Sequence, residues 1–195
     1  IVLGVYIGTI VLLNIPSVQQ VMSVFVAEEL SDLLNTRVTI GRINIGLLNR
    51  IIIDDVLLDD QDEQEMLKVT RLSAKFDIMP FFKGKISISS VQLFGFNINL
   101  QKKTPDSPPN FKFVLDAFAS NDTVKKDNSL DLRINSILIR RGRMAYHVLS
   151  EEETPGKFNA KHVQLQNIIA NISLKALSKD SINLGIKRLS LDEKV

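Results

Sequence analysis

Apolar and polar positions along most of this chain repeat one eight-residue phrase, hxhxxhxh, where h is apolar and x mostly polar. It reads Val38-Thr-Ile-Gly-Arg-Ile-Asn-Ile45, Ile51-Ile-Ile-Asp-Asp-Val-Leu-Leu58, Leu67-Lys-Val-Thr-Arg-Leu-Ser-Ala74 and Ile86-Ser-Ile-Ser-Ser-Val-Gln-Leu93. It returns as Leu132-Arg-Ile-Asn-Ser-Ile-Leu-Ile139, Val163-Gln-Leu-Gln-Asn-Ile-Ile-Ala170 and Leu184-Gly-Ile-Lys-Arg-Leu-Ser-Leu191. Side chains alternate faces along a strand, so each hxh puts two apolar groups on one side. The doubled x shifts that parity and would throw the second pair onto the other face. A β-bulge at the doubled position restores both pairs to one face and bends the strand. Reading each doubled position as a tight turn instead leaves strands of about three residues, below the usual ~5–6. The pattern therefore predicts bulged, curved strands whose apolar sides line a trough. Plain alternation fills the gaps at Gly95-Phe-Asn-Ile-Asn-Leu-Gln101 and Gly142-Arg-Met-Ala-Tyr-His-Val148, with Gly84, Gly95 and Gly142 where bends or turns are wanted.

The first part of the chain follows a different period. Residues 1–15, IVLGVYIGTIVLLNI, carry no charge. A helix of that length rises about 22 Å, short of the ~30 Å hydrocarbon core. The segment reads as part of a transmembrane anchor that continues upstream; a core helix or a signal-peptide core are the alternatives, and Asn14-Ile-Pro-Ser-Val18 offers no A-x-A cleavage pattern. Pro16 suits the first turn of a new helix. Across 16–35 the apolar residues Val18, Val21, Met22, Phe25, Val26, Leu30, Leu33 and Leu34 recur at helical spacing, which predicts an amphipathic helix capping a β core and ending near Asn35.

Strand phrases then occupy 36–103 and 130–195. Between them, 104–129 breaks the pattern with Thr104-Pro-Asp-Ser-Pro-Pro-Asn110 and a polar run through Lys125-Lys126-Asp127. Phe111, Val114, Leu115 and Phe118 would share one helical face there, so a short helix folded against the sheet is expected. The fold class is thus mainly β: a membrane helix and an amphipathic helix, then a curved antiparallel sheet forming a groove, with one short inserted helix. The chain opens at Ile1 and stops at Val195 within an alternating run, and it is expected to be a segment of a longer protein.

Composition narrows the function classes. A net charge of +2, no tryptophan and only two tyrosines argue against nucleic acid, which needs clustered positive charge and stacking platforms. The absence of cysteine removes disulfides, thiolate metal sites and cysteine nucleophiles. His147 and His162, the only histidines, stand far apart in sequence and read as separate strand residues with no metal role. The acidic runs Asp59-Asp-Gln-Asp-Glu-Gln-Glu65 and Glu151-Glu-Glu153 read as solvated turns, the first lacking the central glycine of a calcium loop. Arg140, Arg141 and Arg143 read as a solvated strand end, with contact to a phosphate head group as the alternative. Neither a P-loop nor a dinucleotide fingerprint, zinc-protease helix or nucleophile elbow occurs. No enzyme, cofactor or resident metal is expected.

The apolar start, an amphipathic helix closed by Leu33-Leu34 and then Val38-Thr-Ile-Gly-Arg-Ile43 resemble the beginning of AsmA-like proteins, the TamB branch in particular. Ile53-Asp-Asp-Val-Leu-Leu-Asp-Asp60, turning into Met66-Leu67, is similar to that family's second strand pair. Phe81-Phe-Lys-Gly-Lys-Ile-Ser-Ile-Ser-Ser-Val-Gln-Leu-Phe-Gly95 resembles its recurring glycine-bounded strand unit. Pro108-Pro-Asn-Phe-Lys-Phe-Val-Leu-Asp-Ala-Phe118 and Leu130-Asp-Leu-Arg-Ile-Asn-Ser136 look like the form found in the Bacteroides group. The resemblance implies a bridge-like lipid-transfer fold, a long curved sheet with a hydrophobic groove. It further implies an inner-membrane anchor with the bulk in the periplasm, phospholipid as cargo, and an outer-membrane β-barrel assembly protein as a further partner. The groove lining would then comprise Val38, Ile40, Ile43, Ile45, Val69, Leu72, Ile86, Ile88, Val91, Leu93, Phe96, Ile98, Leu100, Leu132, Ile134, Val163, Leu165, Leu184 and Ile186. From the residues alone, the same positions serve equally as an ordinary packed core.

Overall fold

The computed structural model describes residues 4, 8, 11–46, 49–76, 86–120, 130–131, 136–177 and 182–193. Among the described residues, the helices α1 (Pro16–Leu34) and α2 (Lys112–Ser120) accompany eight strands. These are β1 (Val38–Gly46), β2 (Arg50–Asp59), β3 (Glu65–Phe76), β4 (Ile86–Lys102), β5 (Leu130–Asp131), β6 (Ser136–Val148), β7 (His162–Leu177) and β8 (Ile182–Glu193). The strands form one open sheet in the order β1-β2-β3-β4-β6-β7-β8, with the short β5 also pairing with β4. A mainly β chain with few helices is thus the observed class.

The sheet is mostly antiparallel, which corrects the expectation of a wholly antiparallel one. β4 runs parallel to β6, with Val91 opposite Ile137 and Leu100 opposite Tyr146, and parallel to β5. A parallel neighbour cannot be reached by a hairpin; it needs a crossover of a dozen or more residues. The segment expected as an insertion, 104–129, falls in the connection between β4 and β6, and α2 lies within it.

The doubled polar positions form the expected bulges only in some strands: the register slips at Ser89-Ser90 of β4 and at Gln166-Asn167 of β7, but not at the doubled positions of β1 to β3. Between β1 and β2 the register passes from Ile40–Val56 to Arg42–Asp54 without a slip. Between β2 and β3, Val56–Val69 is likewise followed by Asp54–Arg71. The doubled positions of neighbouring strands lie opposite one another, so the pairing stays continuous. Parity is reset by left-handed residues: Asp55 in β2 has φ 55°, Gly95 in β4 66°, Arg141 in β6 55° and Asn167 in β7 54°. They mark a transverse seam across the sheet. Register shifts do accompany the seam further on, between Ile139 and Gly142 and between Gln166 and Ile169. Only glycine takes such a φ freely, and at Gly95 a Cβ would also come within 2.7 Å of the Thr70 hydroxyl.

Helix α1 ends at a left-handed Asn35, as its sequence predicts. Its inward face matches the expected stripe only in part. Val18, Met22, Val26 and Leu30 are half-buried and Leu34 is buried, but the polar Gln19 and Ser23 are buried with them, whereas Val21, Phe25 and Leu33 are exposed. The reason is the partner. The helix lies along β1, an edge strand whose outward backbone groups need polar substitutes for a missing neighbour. The Asn14 amide donates to the Ile45 carbonyl at 2.8 Å, and the Ser31 hydroxyl accepts from the Val38 N–H at 3.0 Å. Gln19 donates to the Asn44 side chain at 2.7 Å. Among the described residues no helix is long and apolar enough to cross a membrane, and the expected anchor at 1–15 falls largely outside them.

Candidate functional site

The seam brings the apolar positions of successive strands into rows on one face. One row runs Val38–Leu58–Leu67–Ile98–Met144–Leu165. The next runs Ile40–Val56–Val69–Phe96, after which the Phe96 ring lies on Gly142, the partner of Ile168. Beyond the seam come Ile43–Ile53–Leu72–Leu93–Ile139–Ala170 and Ile45–Ile51–Ala74–Val91–Ile137–Ile172–Ile186. Val69, Phe96 and Ile168 are buried in one cluster with Leu67, Ile98, Met144 and Leu165 from one side of the seam and Leu72, Leu93 and Ile139 from the other. Both halves of the phrase therefore share a face.

Of the expected lining, Val38, Ile43, Val69 and Phe96 are buried. Ile40, Ile45, Leu72, Val91, Leu93, Ile98, Leu100, Val163 and Leu165 are half-buried, and Ile186 is 56% exposed on the outermost strand. Ile86, Ile88 and Leu184 are placed in strands by register alone. Leu132 and Ile134 lie outside the described residues. Residues missing from the expectation but present in the rows include Val56, Leu58, Leu67, Ile139, Met144 and Ile168.

Among the described residues no helix or second sheet comes into close backbone contact with β3 to β8, although Met66 and Leu67 of β3 pack against side chains of α1 and the crossover. One end is closed. There Leu34, Val38, Leu58 and Met66 are buried with Leu30 of α1 and with Phe111, Phe113, Val114 and Ala117 from the crossover. Phe111 and Val114 pack inward as expected, joined by Phe113 and Ala117, while Leu115 is exposed.

The acidic turn at this end is exposed from Gln61 to Glu65, as expected, but Asp59 and Asp60 at its start are buried, Asp60 at 1% exposure. Its Oδ1 accepts the backbone N–H groups of Asp62 and Gln64, each at 3.0 Å. Its Oδ2 accepts the side-chain amides of Gln101 at 3.1 Å and Asn110 at 3.0 Å. Burial pushes the carboxyl up, but these donors outweigh it and hold Asp60 below the usual carboxylate value. One carboxylate thus fastens the β2–β3 turn to β4 and the crossover.

Arg140 and Arg141 join Arg188 of β8 around an open depression of about 510 Å³ with an apolar floor that includes Leu138, Ile169 and Ala170. The Arg141 guanidinium stacks 5.2 Å from the centroid of Phe94. His147 and His162, read as separate from the sequence, are direct partners across β6 and β7. The signal for this was available: they stand at almost equal distances on either side of the Thr154-Pro-Gly156 turn.

Compared with the models of known protein families and with curated proteins, the chain matches none.

Proposed function

We propose that this chain is the membrane-proximal part of a bridge-like lipid carrier of the AsmA-like kind, whose apolar rows hold phospholipid acyl chains between inner and outer membrane. The observation that carries this reading is a wide apolar face that, among the described residues, is covered by helix side chains only at its α1 and α2 end. Such a face left to water is costly, and acyl chains covering it gain about 0.8 kcal/mol per buried CH₂. Val69 is 2% exposed without a covering element, which supports a concave sheet whose flanking side chains close over the middle. The lining residues are those of the four rows, from Val38 to Ile186. Residues 1–15 would supply the inner-membrane anchor, and the exposed Val21 and Phe25 of α1 would lie near the bilayer, with the sheet in the periplasm. Every role is one of binding, and none calls for covalent chemistry.

Native mass spectrometry and solvent extraction of the purified protein test the proposal. Co-purifying phospholipid is expected, and Ile98→Asp should abolish it while circular dichroism stays that of a folded sheet. A lipid-free protein sinks the reading, and global unfolding of the Ile98→Asp variant would mark the face as an ordinary core.

A second reading rests on β8. It ends the strand order with Ile186, Leu189 and Leu191 exposed, which favours addition of a strand from a protein partner such as an outer-membrane assembly factor. A protein partner retained by a lipid-free preparation would favour it.

A further inference from the structure

We infer that His147, His162 and Glu153 form a binding site for a divalent transition-metal ion of the zinc type. The β6–β7 register sets the two histidines opposite each other, and their Nδ1 atoms face at 3.1 Å. The Glu153 carboxylate, from the connection between the strands, stands 3.7 Å from the first and 3.9 Å from the second. A tetrahedral ion with ligand bonds of 2.0–2.1 Å separates its donor atoms by about 3.3 Å, so all three contacts close with shifts of a few tenths of an ångström.

The protonation pattern fits the same purpose. A backbone carbonyl only accepts, so the His162 Nε2 that lies 2.9 Å from the Glu151 carbonyl carries the hydrogen. A neutral His162 then presents a bare lone pair at Nδ1, aimed at His147 and Glu153. Metal-binding histidines are oriented in this manner, by a second ring N–H donated to a carbonyl. Two facing Nδ1 atoms need either one shared proton or one cation between them.

The frame around the site is built rather than loose. Lys161 engages the Glu151 carboxylate at 2.6 Å and so does not compete for Glu153. Asn159 donates to the Glu152 carbonyl at 3.1 Å and accepts the Lys161 N–H at 3.0 Å. His162 is 9% exposed, whereas Glu153 is 66% exposed. An ion therefore enters from the solvent side, and its fourth position remains for water.

Titrating the purified chain with zinc chloride against a chromophoric chelator tests the inference, with cobalt(II) absorption as a probe of geometry. One ion per chain is expected, with a tetrahedral cobalt spectrum. His147→Ala and His162→Ala should each weaken binding by about 100-fold or more, and Glu153→Gln by roughly 10–100-fold. The Glu153 side chain is exposed, so Glu153→Gln leaves the fold intact and decides the matter if a histidine variant unfolds. Lack of stoichiometric binding, or zinc affinity unchanged in Glu153→Gln, overturns the site and leaves a proton-sharing histidine pair.

Discussion

The ring of Phe96 rests on the backbone of Gly142 so closely that a Cβ at Gly142 would come within 2.3 Å of it and within 3.0 Å of Ile168. This contact joins β4 to β6 across the parallel junction, where the apolar row would otherwise meet a third bulky side chain. Gly142→Ala should therefore overpack the row and destabilise the protein by about 1–3 kcal/mol. Thermal melts are expected to show the loss, and Phe96→Leu should recover part of it in the double variant. A strictly additive double variant would show that the ring is not the obstacle.

Asp60 gives a pH signature. Its carboxyl titrates below the 3.8 of an unperturbed aspartate, so its stabilisation is complete above that value and fades as pH falls through the lower, folded one. An asparagine cannot copy it, because both oxygens accept donors and an amide would turn its NH₂ toward one pair of them. Asp60→Asn is expected to cost about 2–3 kcal/mol at pH 7. Urea denaturation at several pH values should show the gap to the parent narrowing below about pH 4. A gap constant down to pH 2 would refute the charge-based account.

Helix α1 carries Val21 at 69% and Phe25 at 61% exposure on the side away from β1. Replacing both by glutamate should leave stability within about 0.5 kcal/mol of the parent. The same change should reduce sedimentation with phospholipid vesicles several-fold. Unchanged vesicle binding would remove α1 from the membrane-proximal role proposed for it.

How much of this was legible in the sequence depends on what each signal encodes. Alternation reports which side chains share a face, so the membership of Ile40, Ile43, Val69, Leu72 and Phe96 in one apolar surface could be read directly. It carries no strand direction, and the parallel pairing of Val91 with Ile137 was hidden for that reason. The doubled positions announced a parity change but not its mechanism. A bulge is a relation between two strands, and a left-handed Asp55 facing Gly41 leaves the same trace in one strand's text. Helix α1 misled because hydrophobic periodicity assumes an apolar partner, while Gln19 and Ser31 face an unpaired strand edge. Asp60 looked like a surface charge because its donors, Gln101 and Asn110, arrive from about forty and fifty residues away.

The side chains that α1 lends to β1 have a consequence for assembly. Sheets of this kind can stack margin to margin, and a chain with two bare margins would propagate into a fibre. Here one margin is stoppered by Asn14 and Ser31, so a strand joining the sheet from outside is directed away from β1.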